Sequence, residues 1–135
     1  LLLEQSPHRL PAIALAAPTG KAAARLQAAL AAAQPALGLA AALDAALPRT
    51  AQTLHRLVGL RGGGARARHD ADHPLPVDVL VIDEASMIDL ALMARVLRAL
   101  PARARLILLG DRDQLASVEP GAVFAALCDG LPRAN

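Results

Sequence analysis

The run V-L-V-I-D-E-A-S-M-I-D-L at residues 79–90 constrains the fold more than any other stretch of this chain. Val79, Val81 and Ile82 have high strand propensity, and Pro76 bounds the run upstream. A strand with no polar face is expected to be buried on both faces, as in a parallel sheet covered by helices. It runs straight into two adjacent carboxylates, Asp83 and Glu84. Ligands of open α/β sheets gather beyond the C-terminal ends of the strands, and a desolvated carboxylate without a partner is costly. A bound Mg²⁺ and a polarised water would supply that partner. This is the chemistry of a nucleoside triphosphatase, in which one acid holds the metal and the next orients or deprotonates the attacking water. The blander reading is a surface turn with two solvated acids. The apolar run before the pair and Ala85-Ser86 after it favour function.

The rest of the chain alternates in the same manner. Residues 11–17 form a short apolar run that ends at Pro18-Thr19-Gly20, a strand followed by a turn. Residues 21–33 are rich in Ala, Leu, Arg and Gln and predict a helix. Pro35 breaks it, and residues 36–47 predict a second helical piece. Residues 50–58 predict a short helix capped by Thr50 or Thr53. Residues 59–76 read as a loop with Gly62-Gly63-Gly64 and alternating Arg. The central strand is placed at 77–82. A helix follows at 88–100, with Asp89 complementing its N-terminal dipole. A third strand is placed at 105–109, and a last helix at 120–127 with Pro120 in its first turn. Strands separated by helices predict βαβ units and a parallel sheet. Leu1-Leu2-Leu3-Glu4-Gln5 resembles the end of a helix whose start is absent, so the chain is read as a fragment.

Further constellations carry chemistry. L-I-L-L-G-D-R-D-Q-L at residues 106–115 is a second buried strand with polar groups at its end. Gly110 lets the chain turn close to a ligand. Gln114 is a neutral amide able to accept from water and donate to a phosphate oxygen at once, which suits a sensor of the γ-phosphate; a solvated loop glutamine is the alternative. A-P-T-G-K-A-A-A-R-L at residues 17–26 holds a Gly-Lys pair but is not a phosphate-binding P-loop. That motif needs Gly where Leu15 stands and Ser or Thr where Ala22 stands. What remains is a turn into a helix N-terminus, with Thr19 and Lys21 projecting, and such a terminus binds phosphate. A nucleic-acid phosphate fits as readily as a nucleotide, and an ordinary turn with a solvated lysine stays open. In T-L-H-R-L-V-G at residues 53–59, Thr53, His55 and Arg56 flank an apolar stripe. A threonine cap with a packed histidine explains them, and phosphate contact by Thr53 and His55 is the sharper reading. His69, Asp70, Asp72 and His73 resemble metal ligands superficially, but a loop without thiolates predicts solvated side chains instead.

Composition narrows the setting. The chain has 135 residues, enough for one domain with a core, and a net charge of +2. With Phe124 as its single aromatic residue, it has no Trp or Tyr to stack on bases. Nucleic-acid contact must therefore use backbone, hydroxyl and basic groups. One cysteine, Cys128, excludes an internal disulfide and fits a reducing compartment. The Ala-rich stretch at 22–47 is interrupted by Arg25, Gln27, Pro35, Gly38 and Asp44, which excludes a membrane span. No signal peptide is visible, and a cytoplasmic location is expected.

Taken together, the motifs resemble those of the superfamily 1 helicases of the RecD type. Residues 17–26 look like that family's motif Ia, 53–59 like its next DNA-contacting motif, 79–90 like motif II (Walker B), and 108–123 like motif III. The resemblance spans nearly the whole chain in the right order. It implies a RecA-like P-loop NTPase core over residues 1–135, with the loop 59–76 inside it. The first strand and the P-loop are absent from the chain, as are the later motifs. It implies an ATP-dependent 5′-to-3′ DNA helicase motor using ATP and Mg²⁺, with single-stranded DNA and RecB- and RecC-like subunits as partners. On this resemblance Asp83 would hold Mg²⁺, Glu84 would activate water, and Gln114 would sense the γ-phosphate. Thr19, Lys21, Thr53, His55 and Arg56 would lie along the DNA strand. The fragment alone is expected to be inactive. The alternatives are a stand-alone RecD-like or relaxase-linked helicase, and a non-enzymatic DNA-binding module that kept the fold.

Overall fold

The computed structural model describes residues 10–60, 67–111 and 119–130. The helix tail expected at residues 1–5, the Gly62-Gly63-Gly64 run and Gln114 lie outside the described residues. Within them, strands and helices alternate: β1 (Ile13–Ala17), α1 (Gly20–Ala33), α2 (Ala41–Ala46), β2 (Ala51–Thr53), α3 (Leu54–Leu57), β3 (Val79–Ile82), α4 (Leu90–Ala99), β4 (Arg105–Leu108) and α5 (Glu119–Gly130). Short 3₁₀ turns occupy Gln34–Leu37 and Ala85–Met87. The described strands form one four-stranded sheet in the order β2-β1-β3-β4. Every pairing is parallel, as the alternating pattern requires.

The two faces of the sheet are packed differently. Ala14, Ala16, Leu80, Ile82, Leu106 and Leu108 point to one face and meet Leu54, Leu57, Val58, Ile88, Leu92, Met93, Val96 and Phe124 from α3, α4, α5 and their flanking segments. This is the main apolar core. On the other face Ala17 packs against Ala22 and Ala23 of α1, with Ala51 beside them. Alanines let that helix backbone lie close to the sheet. Helix α1 lies mainly against β1 and β2, and Val81 and Ile107 on the same face are half-buried. The expectation that the central strand is fully covered on both sides therefore holds for one face and only partly for the other.

Three element boundaries depart from the sequence reading. The segment before α3 is a short parallel edge strand, not the start of a helix; its Ala51 N–H is held by Gln27 Oε1 of α1 at 3.1 Å. Three residues of mixed polarity carry too little periodicity to announce a strand, and pairing with β1 decides it. The helical piece expected at 36–47 is split in two, because Gly38 turns left-handed at φ 57° after the 3₁₀ turn. The last helix runs through Gly130, beyond the expected end. The other helices and strands sit where expected to within two residues.

Candidate active site and nucleic-acid interface

Register fixes the site before any side chain is considered. Ala16 pairs with Ile82, and Ile82 pairs with Leu108. Ala17 pairs with Thr53. The C-terminal ends of all four strands thus share one edge. Along it, in sheet order, come Thr53, His55 and Arg56; then Thr19 and Lys21; then Asp83 and Glu84; then Gly110 and Asp111. The ladder continues just past the strands: Asp83 N–H donates to Ala16 O at 3.0 Å, and Leu109 N–H donates to Ile82 O at 2.8 Å.

Asp83 is half-buried, and its Oδ1 accepts the N–H of Glu84 at 2.9 Å. Glu84 is the one non-glycine residue with positive φ among the described residues, at 52°. This conformation turns the chain sharply enough for Ala85 N–H to reach Leu109 O at 2.8 Å. The acids are thereby tied to the end of β4. A Cβ on Gly110 would lie 3.1 Å from the Ser86 nitrogen, 3.3 Å from the Ala85 nitrogen and 3.3 Å from Phe124 Cε1. Glycine allows the segment leading to Gln114 to start against the acidic turn. The Glu84 carboxylate meets Arg25 of α1, Nη1 to Oε1 at 3.2 Å. Sequence reasoning passed over Arg25; the signal was its position one turn after Lys21 in the same motif.

Both threonines of the basic segments are helix caps. Thr19 Oγ1 accepts Ala22 N–H at 3.2 Å at the start of α1, and Thr53 Oγ1 accepts Arg56 N–H at 3.3 Å at the start of α3. Each hydroxyl keeps its hydrogen free to donate, so capping and phosphate contact are compatible. Thr19, Lys21, His55 and Arg56 are exposed. The packed histidine weighed from the sequence is therefore corrected: α3 turns Leu54 and Leu57 inward and leaves His55 in solvent. An open groove of about 390 Å³ runs between α1 and β2, with Gly20, Ala24, Gln27, Arg49 and Thr53 among its walls.

In the loop of His69, Asp70, Asp72 and His73, Asp72 and His73 are exposed, whereas His69 and Asp70 are half-buried. Asp70 Oδ1 accepts the backbone N–H groups of Asp72 at 3.1 Å and His73 at 2.9 Å, a local turn. No metal-binding group of three ligands occurs among the described residues.

With the geometry in place, comparison with known proteins decides the family. A family model described as an AAA domain matches residues 2–120. The chain belongs to the AAA domain family. This AAA domain is 55% identical over 123 residues to the RecBCD enzyme subunit RecD of Mycobacterium tuberculosis, covering 90% of the chain and 21% of that protein. It is 49% identical to the RecBCD enzyme subunit RecD of Haemophilus influenzae, covering 85% of the chain and 19% of the relative. It is 40% identical to the ATP-dependent RecD2 DNA helicase of Deinococcus radiodurans, covering 89% and 14%. The chain thus spans about a fifth of the length of its RecD relatives. The α/β architecture read from the sequence, a parallel sheet flanked by helices, agrees with the AAA domain. No helix among the described residues is long and apolar enough to cross a membrane.

Proposed function

We propose that these residues form part of the motor of an ATP-dependent 5′-to-3′ DNA helicase of the RecBCD type. The observation that carries this reading is the shared edge. Two acids at the end of a central strand stand between a basic, threonine-capped segment on one side and Gly110, just past the end of β4, on the other. Nucleotide chemistry and strand contact can then be served from one lip of one sheet. Identities of 55% and 49% to the RecBCD enzyme subunit RecD of Mycobacterium tuberculosis and of Haemophilus influenzae support a chain that works with RecB- and RecC-like subunits.

The donor set fits a hard cation. Asp83 offers carboxylate oxygens, with Oδ2 left over after Oδ1 takes the Glu84 N–H, and oxygen ligands suit Mg²⁺. Asp83 would hold the ion, which when bound with ATP neutralises charge developing on the phosphates. Glu84, one residue on and 29% exposed, orients the attacking water and accepts its proton at a carboxylate oxygen. Gln114, which follows Gly110 in sequence, reports the γ-phosphate. Thr19, Lys21, Thr53, His55 and Arg56 contact the backbone of single-stranded DNA through hydroxyl, ammonium, imidazole and guanidinium groups.

Glu84→Gln in the full-length protein is the test. It keeps the size of the side chain but removes its charge and the base. ATP turnover is expected to fall by about 10²–10⁴-fold, with ATP binding measured by equilibrium dialysis retained. Turnover at the wild-type rate would reject the assignment.

A further inference from the structure

The proposed role of Glu84 leaves its contact with Arg25 without a purpose. Arg25 Nη1 stands 3.2 Å from Glu84 Oε1. Arg25 lies one helical turn beyond Lys21 on α1, so the two cations share a face of that helix. The Arg25 side chain is 72% exposed. Among the described residues one of its nitrogens bonds the acid, and the guanidinium carries further donors. The left-handed turn at Glu84 fixes where that side chain emerges; Arg25 decides where the carboxylate rests.

We infer that Arg25 is a shared residue, holding Glu84 when no DNA is bound and turning to a backbone phosphate when a single strand crosses Lys21. A phosphate offers the guanidinium two parallel charge-assisted hydrogen bonds. An exposed, one-point ion pair is a weak competitor. Carboxylate and phosphate thus contend for one cation, and binding of the strand frees the acid. The coupling is reciprocal by linkage: whatever frees Arg25 from Glu84 strengthens DNA binding. This inference rests on the proposed placement of DNA at Lys21 and deepens the proposed role of Glu84.

The test needs no hydrolysis. Binding of a fluorescent oligothymidylate to the full-length protein, without nucleotide, is measured by anisotropy over a salt series. Glu84→Gln is expected to tighten binding by a factor of roughly two to five, the scale of an exposed ion pair. Arg25→Ala is expected to weaken binding and to lower the slope of log K against log salt by about 0.7, one phosphate contact on a single strand. In the Arg25→Ala background, Glu84→Gln should no longer change affinity. Arg25→Lys, which keeps the charge but loses the fork, should fall between wild type and Arg25→Ala. The inference is overturned if Glu84→Gln leaves affinity unchanged. It is equally overturned if that variant tightens binding as much without Arg25, which would be a general effect of removing negative charge. Wild-type ATP turnover by Glu84→Gln would instead strike the catalytic reading and leave the competition for Arg25 standing.

Discussion

Glu84 holds a backbone conformation that costs a non-glycine residue about 1–3 kcal/mol. The neighbouring bonds, Asp83 Oδ1 to Glu84 N–H and Ala85 N–H to Leu109 O, oblige it. Immediately after it, Ser86 is buried at 1% exposure, and its hydroxyl has no hydrogen-bond partner among the described residues. An unmet buried hydroxyl is destabilising, so Ser86→Ala is expected to raise stability by about 1 kcal/mol. Urea denaturation checks this, and a lower midpoint would mean that the hydroxyl is paired. In the loop at residues 67–76, the Asp70 carboxyl is held below its ordinary value of 3.8, first by the backbone N–H of His73. A depressed carboxyl adds stability above the unfolded value and loses it as pH falls through the folded one. The Asp70 carboxyl carbon is therefore expected to titrate below 3.8 in an NMR pH series, and the local turn to loosen only in that acid range. Thr53 was legible as a cap and Asp89 as an acid at a helix N-terminus, because their oxygens act on nearby backbone. Asp89 Oδ1 indeed accepts Leu92 N–H at 2.7 Å at the start of α4.

At the scale of elements, the helices divide by how they bury themselves. Helix α4 places Leu92, Met93, Val96 and Ala99 in the core at helical spacing, the stripe expected of an amphipathic helix. Helix α1 buries only Ala22 and Ala23 and is held by close approach and by Gln27 on β2. Between α3 and the loop that follows, Gly59 adopts φ +74°, and a Cβ there would stand 2.3 Å from Arg68 Cβ. Arg68 and His69 N–H both donate to Val58 O, at 3.0 and 3.1 Å, so the loop cannot retreat without losing these bonds. Gly59→Ala is expected to cost about 2–4 kcal/mol, from the strained φ and the overlap together. Thermal unfolding of the variant checks this; a loss under about 1 kcal/mol would show that the returning loop is free to move. The sequence marked the glycine as the end of a helix, but Arg68 as its neighbour depends on where the loop comes back.

For the molecule as a whole, strand order governs both stability and function. Strands β1 and β3 are interior, while β2 and β4 are the outer strands of the described sheet. Backbone amides bonded between β1 and β3 are expected to show the slowest hydrogen exchange, and those of β2 the fastest among the strands. Mass-resolved exchange checks this; equal protection in β2 and β3 would contradict it. The same order places the basic segments on one side of the acids and Gly110 on the other, with Arg25 reaching across from α1 to Glu84.

The chain by itself determined the strand–helix alternation, the parallel sheet, the acids at the end of β3 and the Thr53 cap of α3. Each depends on spacing and chemistry within about ten neighbouring residues, so local patterns record it. Only the tertiary structure decided that residues 51–53 pair as a strand, that His55 faces solvent, and that Arg25 and Glu84 meet. Those outcomes arise from register between segments far apart in the chain, where the energy lies in contacts that neither segment encodes alone.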